Sequence, residues 1–209
     1  WDRKSILAKK DPGITLMLDC SGSMSYPHEK IDQAFRGIIL VAEVLNRLQI
    51  PFAIYGFQDE LIEFKSFGRP FDDTVRDELG EAPLETPGNR PGGHNEPGSN
   101  HDSTVVREAG DELLAQPFQT KIMIVLSDGQ PTGPAGEDHN GSMLKRTVKG
   151  LSEKGIIMIG VGIGAGTEHV ARFYPNSIAN VPLPAFADTL GALLERLLTV
   201  ADEAAQGDA

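Results

Sequence analysis

Asp19, Ser21 and Ser23 crowd into one short stretch, Asp19-Cys20-Ser21-Gly22-Ser23-Met24, directly after the apolar run Ile14-Thr15-Leu16-Met17-Leu18. A carboxylate and two hydroxyls on one tight loop make a compact all-oxygen donor set. Hard divalent cations prefer such a set, Mg²⁺ above all, with Mn²⁺ and Ca²⁺ as alternatives. A second loop of the same kind, Ser127-Asp128-Gly129, follows the apolar run Lys121 to Leu126, and the helix start at Asn100 to Thr104 offers a third group of donors. These three loops carry few charges and several neutral oxygens, which leaves positions for water and for an incoming carboxylate. That composition suits Mg²⁺, which keeps waters and takes one or two carboxylates. Cys20 reads as a small filler of the loop, because a soft thiolate is a poor partner for a hard cation.

Other chemistries find less support. No His/Cys cluster has zinc spacing, and His28, His94, His101, His139 and His169 are scattered, mostly in predicted loops, where they read as solvated. Gly160-x-Gly162-x-x-Ala165 only brushes against the dinucleotide fingerprint and reads as a tight strand exit. There is no Gly-x₄-Gly-Lys-Ser/Thr loop, so any ATP hydrolysis belongs to a partner, and there is no Gly-x-Ser-x-Gly elbow. A stand-alone metal-dependent hydrolase would need a general base beside the metal-bound water. His101 and Asp102 are the candidates, and the sequence pattern offers neither a clear orienting group.

The elements that must position these loops follow from hydrophobic periodicity. Residues 14–19 read as a buried strand. Glu29 to Leu48 is a long helix, with Ile31, Phe35, Ile38, Ile39, Ala42, Leu45 and Leu48 near 3.6-residue spacing, and Pro51 ends it. Strands follow at 51–57 and at 61–67, the latter alternating like an antiparallel edge, and then a short helix at 72–79. Residues 80–101 are rich in Pro and Gly and read as an insert loop without regular structure. The rest alternates again: helix to about Gln116, strand 121–126, Pro/Gly loop 131–141, helix 143–154, strand 155–162, short helix 167–173, strand 177–181, closing helix 184–201. This order implies an α/β fold, doubly wound and Rossmann-like: a mostly parallel sheet, helices on both faces, and one antiparallel edge strand. Ligands of such sheets bind at the carboxyl ends of the strands, where all three oxygen-bearing loops lie.

The pair Asp19-x-Ser21-x-Ser23 and Leu126-Ser127-Asp128-Gly129, each after a strand, resembles the von Willebrand factor A (vWA) domain. Its metal-ion-dependent adhesion site (MIDAS) draws on an Asp-x-Ser-x-Ser loop, a Thr of a middle loop and an Asp of a later strand. The resemblance covers residues 11 to 200, and implies Asp19, Ser21, Ser23 and Asp128 as metal ligands. In the middle loop no Gly-Gly-Thr occurs. Asn100 takes the usual Thr position and Asp102 lies two residues on, so either could coordinate, while Thr104 is weaker because it falls inside the helix. A narrower likeness, carried by Asn100 to Thr104, Lys121 to Pro131, Gly160 to Gly164 and His169 to Tyr174, is to the C-terminal domain of the CobT subunit of aerobic cobaltochelatase. That likeness implies a non-ATPase subunit working beside an AAA+ ATPase, which supplies the acidic residue that completes the metal site. Related A domains pair with MoxR-type ATPases, and a nitric-oxide-reductase accessory role or a phage-borne relative fits the same residues.

The chain has 209 residues and a formal net charge of −11, which disfavours binding to nucleic acid or to anionic membranes. It has length for a single A domain, read as the C-terminal fragment of a longer protein because it begins at Trp1. One cysteine permits no internal disulfide, and neither a signal peptide nor a membrane-length apolar run is apparent, so a cytoplasmic setting is expected.

Overall fold

The computed structural model describes residues 11–25, 29–58, 60–85, 101–129, 131 and 141–206. Its centre is β1 (Pro12–Asp19), buried along its whole length. An apolar strand with no exposed residue must be covered on both faces, as interior strands of parallel sheets are. β1 pairs in parallel with β2 (Phe52–Phe57) on one side and β4 (Thr120–Ser127) on the other. β5 (Ile156–Ile163) and β6 (Asn176–Val181) continue the parallel sheet, and β3 (Leu61–Lys65) closes the other edge antiparallel to β2. The order is β3-β2-β1-β4-β5-β6, six strands with one antiparallel edge, as the alternation of the sequence implies.

One face carries α1 (Glu29–Arg47), α2 (Asp73–Glu85) and α6 (Phe186–Gln206). Ile31, Phe35, Ile38 and Leu45 of α1 meet Ile14, Leu16 and Leu18 of β1 there. The opposite face carries α3 (Asp102–Ala115), α4 (Ser142–Glu153) and the short α5 (Val170–Phe173) over Met17, Met123, Val125 and Met158. Each large apolar side chain so buried contributes roughly 1.5–3 kcal/mol. α1 ends by a double hydrogen-bonded turn: Gln49 has φ +59°, its N–H donates to Asn46 O, and the Ile50 N–H donates to Leu45 O at 3.0 Å. This is the usual left-handed helix terminus with Gln in the place that glycine prefers.

Several boundaries differ from the sequence reading. Leu48 lies beyond the end of α1 and is 37% exposed, so it is not part of the core. α2 runs on through Pro83 to Glu85, into the stretch expected to lack regular structure. Pro83 sits in the last turn, where the missing N–H removes one bond only, and burial of Val75, Leu79 and Ala82 against α1 and the sheet outweighs it. Residues 86–100, the bulk of the Pro/Gly-rich insert, lie outside the described residues. The helix expected at 167–173 starts only at Val170, because Gly164 and Gly166 both hold positive φ and turn the chain ahead of it.

β1 feeds α1 on one face, whereas β4 feeds α4 on the other. The carboxyl ends of β1 and β4 are therefore the switch point, the place where doubly wound sheets bind ligands. Asp19 is the last residue of β1 and Ser127 the last of β4.

Candidate metal centre

The two strand ends are tied together by side-chain hydrogen bonds between residues far apart in sequence. The Ser127 hydroxyl donates to Asp19 Oδ2 at 2.6 Å, and the Ser21 N–H donates to Asp19 Oδ1 at 2.9 Å. The Ser23 hydroxyl donates to Asp128 Oδ1 at 2.6 Å, and Ser21 Oγ lies 3.0 Å from Ser23 Oγ. A hydroxyl has one proton, and that of Ser23 is used on Asp128, so Ser23 can only accept from Ser21, whose hydroxyl also hydrogen-bonds the Asp19 carboxylate. The Ser23 proton is thus committed to Asp128, and the hydroxyl oxygens of Ser21 and Ser23 lie beside two carboxylates. A cluster of carboxylate and hydroxyl oxygens is the donor chemistry a hard cation prefers.

Charge points the same way. Asp19 is wholly buried, and its pKa is raised above the ordinary carboxylate value, chiefly by desolvation and further by Asp128; the hydrogen bonds from Ser127 and Ser21 oppose the rise. Asp128 is itself nearly buried and faces the ammonium of Lys30, which also donates to the Ser23 carbonyl at 3.2 Å. Two carboxylates buried in this way are costly without positive charge beside them, which Lys30 supplies to Asp128. Among the described residues no group of three or more His, Cys, Asp or Glu side chains could hold a metal without other help, so the serine hydroxyls are integral to the donor set. The residues present fit a hard divalent cation.

Of the residues expected to coordinate, Asp19, Ser21, Ser23 and Asp128 form one connected cluster. Asp102, the first residue of α3, is buried. The buried Tyr174 phenol is pushed well above its ordinary pKa first by desolvation and then by the charges of Asp102 and Asp19. Asn100 lies outside the described residues. Thr104 falls within α3, as expected. Cys20 packs into the core on the α1 face, with its thiol proton donated to Leu18 O and its pKa raised by burial, the filler role expected of it.

Three supporting residues were not evident in the sequence. Gln58 follows β2 and bridges the loops: its side-chain amide donates to Cys20 O at 2.9 Å, while its own carbonyl accepts the His101 N–H at 3.1 Å. This link draws the start of α3 toward the β1 loop. The only hint was its place at the carboxyl end of the strand beside β1. His169, expected to be solvated, is instead buried, and its Nε2 lies 2.7 Å from Gly129 O. A carbonyl can only accept, so Nε2 carries the proton and His169 pins the loop holding Asp128. Its ring also leans on Phe173, which gives it a reason to be inside. Third, Tyr174 lies across Gly160, where a methyl group on the backbone would come within 2.3 Å of the ring. Glycine at that point of β5 is required by the close approach rather than by a nucleotide.

No protein-family profile matches the chain. Two curated relatives do. The uncharacterized protein YojO of Bacillus subtilis (strain 168) is 29% identical over 140 residues, 63% of this chain. Protein NorD of Stutzerimonas stutzeri is 26% identical over 133 residues, 59% of this chain. The matched region spans 20% of the length of each. Among solved structures, a variant of the PilB minor pilin of Streptococcus sanguinis aligns with a TM-score of 0.64 at 13% identity, covering 93% of this chain and 63% of that one. Proximal thread matrix protein 1 of the mussel byssus, whose MIDAS motif is occupied by zinc, aligns with a TM-score of 0.58 at 15% identity over 87% of this chain and 46% of that one. The conserved hypothetical protein BatB of Bacteroides thetaiotaomicron aligns at 0.55 and 15% identity, over 88% and 98%. The fold is vWA-like. Among the described residues no helix is long and apolar enough to cross a membrane.

Proposed function

We propose that this chain is a metal-ion-dependent interaction module. Asp19, Ser21 and Ser23 hold a divalent cation, Mg²⁺ in the first instance, with Asp128 and Asp102 at its border, and an open coordination position receives a carboxylate from a partner protein. The observation that carries this reading is the hydrogen-bonded cluster Asp19–Ser127 and Ser21–Ser23–Asp128 at the β1/β4 switch point, a set of carboxylate and hydroxyl oxygens drawn from two strand ends. The zinc-occupied MIDAS motif of the mussel protein supports a divalent ion in this fold.

For the partner, we favour an AAA+ ATPase, with the chain acting as its non-ATPase, CobT-like companion in a metal-chelatase type of complex. A MoxR-type ATPase is the alternative. The support is the likeness of the His169 to Tyr174 and Lys121 to Pro131 segments to that family. The relatives YojO and NorD, of which the match spans a fifth, fit a module carried within a larger protein. The test is capture of the ATPase by the chain with Mg²⁺, with EDTA, and with Asp19→Ala. The expected outcome is complex with Mg²⁺ only, and only for wild type, with circular dichroism unchanged. Complex formation that survives both EDTA and the substitution rules out the metal bridge.

A further inference from the structure

Lys30 is the second residue of α1, yet its ammonium reaches Asp128, just past the end of β4, and the carbonyl of Ser23. A cation in the first turn of a helix is on the unfavourable side of the dipole. What holds it there is Asp128, whose side chain is only 4% exposed and needs a counter-charge. The Lys30 side chain is 18% exposed, so its four-carbon stem has a route to solvent. An ammonium and a divalent ion cannot both stay against the same carboxylate cluster without strong repulsion.

We propose that Lys30 is the resident counter-cation of the site: it neutralises Asp128 in the metal-free protein and is expelled to the rim when a divalent ion enters the Asp19–Ser21–Ser23 cradle, so that it sets the ion concentration at which the site fills. This rests on reading the cluster as a metal site. The expelled ammonium then stands at the rim where a partner carboxylate approaches, so filling the site also presents a second positive group to the partner.

The test is a Mn²⁺ titration, with free ion read by electron paramagnetic resonance, on wild type, Lys30→Met and Lys30→Arg. Removing a competitor that closes the site most of the time lowers the apparent dissociation constant by about tenfold. Lys30→Met should therefore bind about tenfold tighter and melt at a lower temperature without metal, while Lys30→Arg, which keeps the charge, stays near wild type. Independently of any variant, acetylation of Lys30 in wild type, read by peptide mass spectrometry, should rise when Mg²⁺ is added. If wild type binds ion but Lys30→Met binds no more tightly, or Lys30 labelling falls with Mg²⁺, the counter-cation role is refuted and the metal site stands. If wild type binds no divalent ion at all, both readings fall together.

Discussion

Asp19→Asn separates what the carboxylate does for the metal from what it costs the fold. The substituted amide keeps the shape and can still accept the Ser21 N–H, while its NH₂ can donate to Ser127 Oγ where the carboxylate accepts from it. In the metal-free protein the pKa of Asp19 is raised, first by desolvation. The native state then holds a proton that the unfolded chain has released, so stability falls as pH rises from the unfolded value through the raised one, and stays lower above it. Asparagine does not titrate. Metal-free Asp19→Asn is therefore expected to be more stable than wild type at neutral pH, with a flatter pH profile. A divalent ion reverses the ranking. At a hundredfold excess over its dissociation constant it stabilises wild type by about 2.7 kcal/mol. For a domain of this size that is roughly 5–11 °C in melting temperature. The variant should move by less than about 1 °C, since it lacks the charge that anchors the ion. Differential scanning calorimetry across pH, with and without Mg²⁺ or Mn²⁺, reads both effects. A variant that gains as much from the ion as wild type, or a metal-free wild type that outlasts the variant at neutral pH, refutes the reasoning.

Other perturbations test the supports. His169→Ala removes the donor to Gly129 O and should weaken divalent-ion binding by about 10–100-fold in a titration, with the fold retained by circular dichroism. Gly160→Ala puts a methyl against the Tyr174 ring and should destabilise by about 1–3 kcal/mol in urea unfolding. Lys65, buried with its ammonium donating to Phe52 O and lying over the Phe52 ring, has its pKa lowered to about 8 by desolvation and Arg69. The unfolded chain then binds the proton more readily, so stability should rise between about pH 8 and 10.4 from this group, and Lys65→Met should abolish that rise in pH-dependent melts.

The sheet was legible because its strands are nearly continuous apolar runs. Ile14 to Leu18 and Ile122 to Leu126 have no other plausible place than an interior covered on both faces. The Asp19 and Asp128 loops were legible for a related reason: polar residues placed abruptly after such runs have to lie at a strand end. What stayed hidden depends on contacts between elements far apart in sequence. Gln58 is an ordinary polar residue until β2 is set beside β1, and His169 reads as solvated until the loop after β4 is brought beneath it. Lys30 is a helix-start lysine in sequence and becomes a site residue only because β4 lies next to β1. The helical extension through Pro83 is not legible locally, because Pro reads as a breaker until the core that Leu79 and Ala82 enter is in place.

Under the proposed function, these hidden contacts also account for a ligand set so sparse in charge. Asp19 has both oxygens engaged by Ser21 and Ser127, so it is not free to swing toward an ion, whereas Asp128 keeps Ser23 as a partner and loses Lys30 when an ion enters. A cation seated among them meets carboxylates held by their neighbours and hydroxyls whose protons already point elsewhere. Such a site neutralises only part of a divalent charge. On the proposed function, the remainder is available to a carboxylate arriving from outside at the carboxyl ends of β1 and β4. An all-carboxylate cage of the same size would bind the ion more tightly and leave it nothing with which to bind a partner.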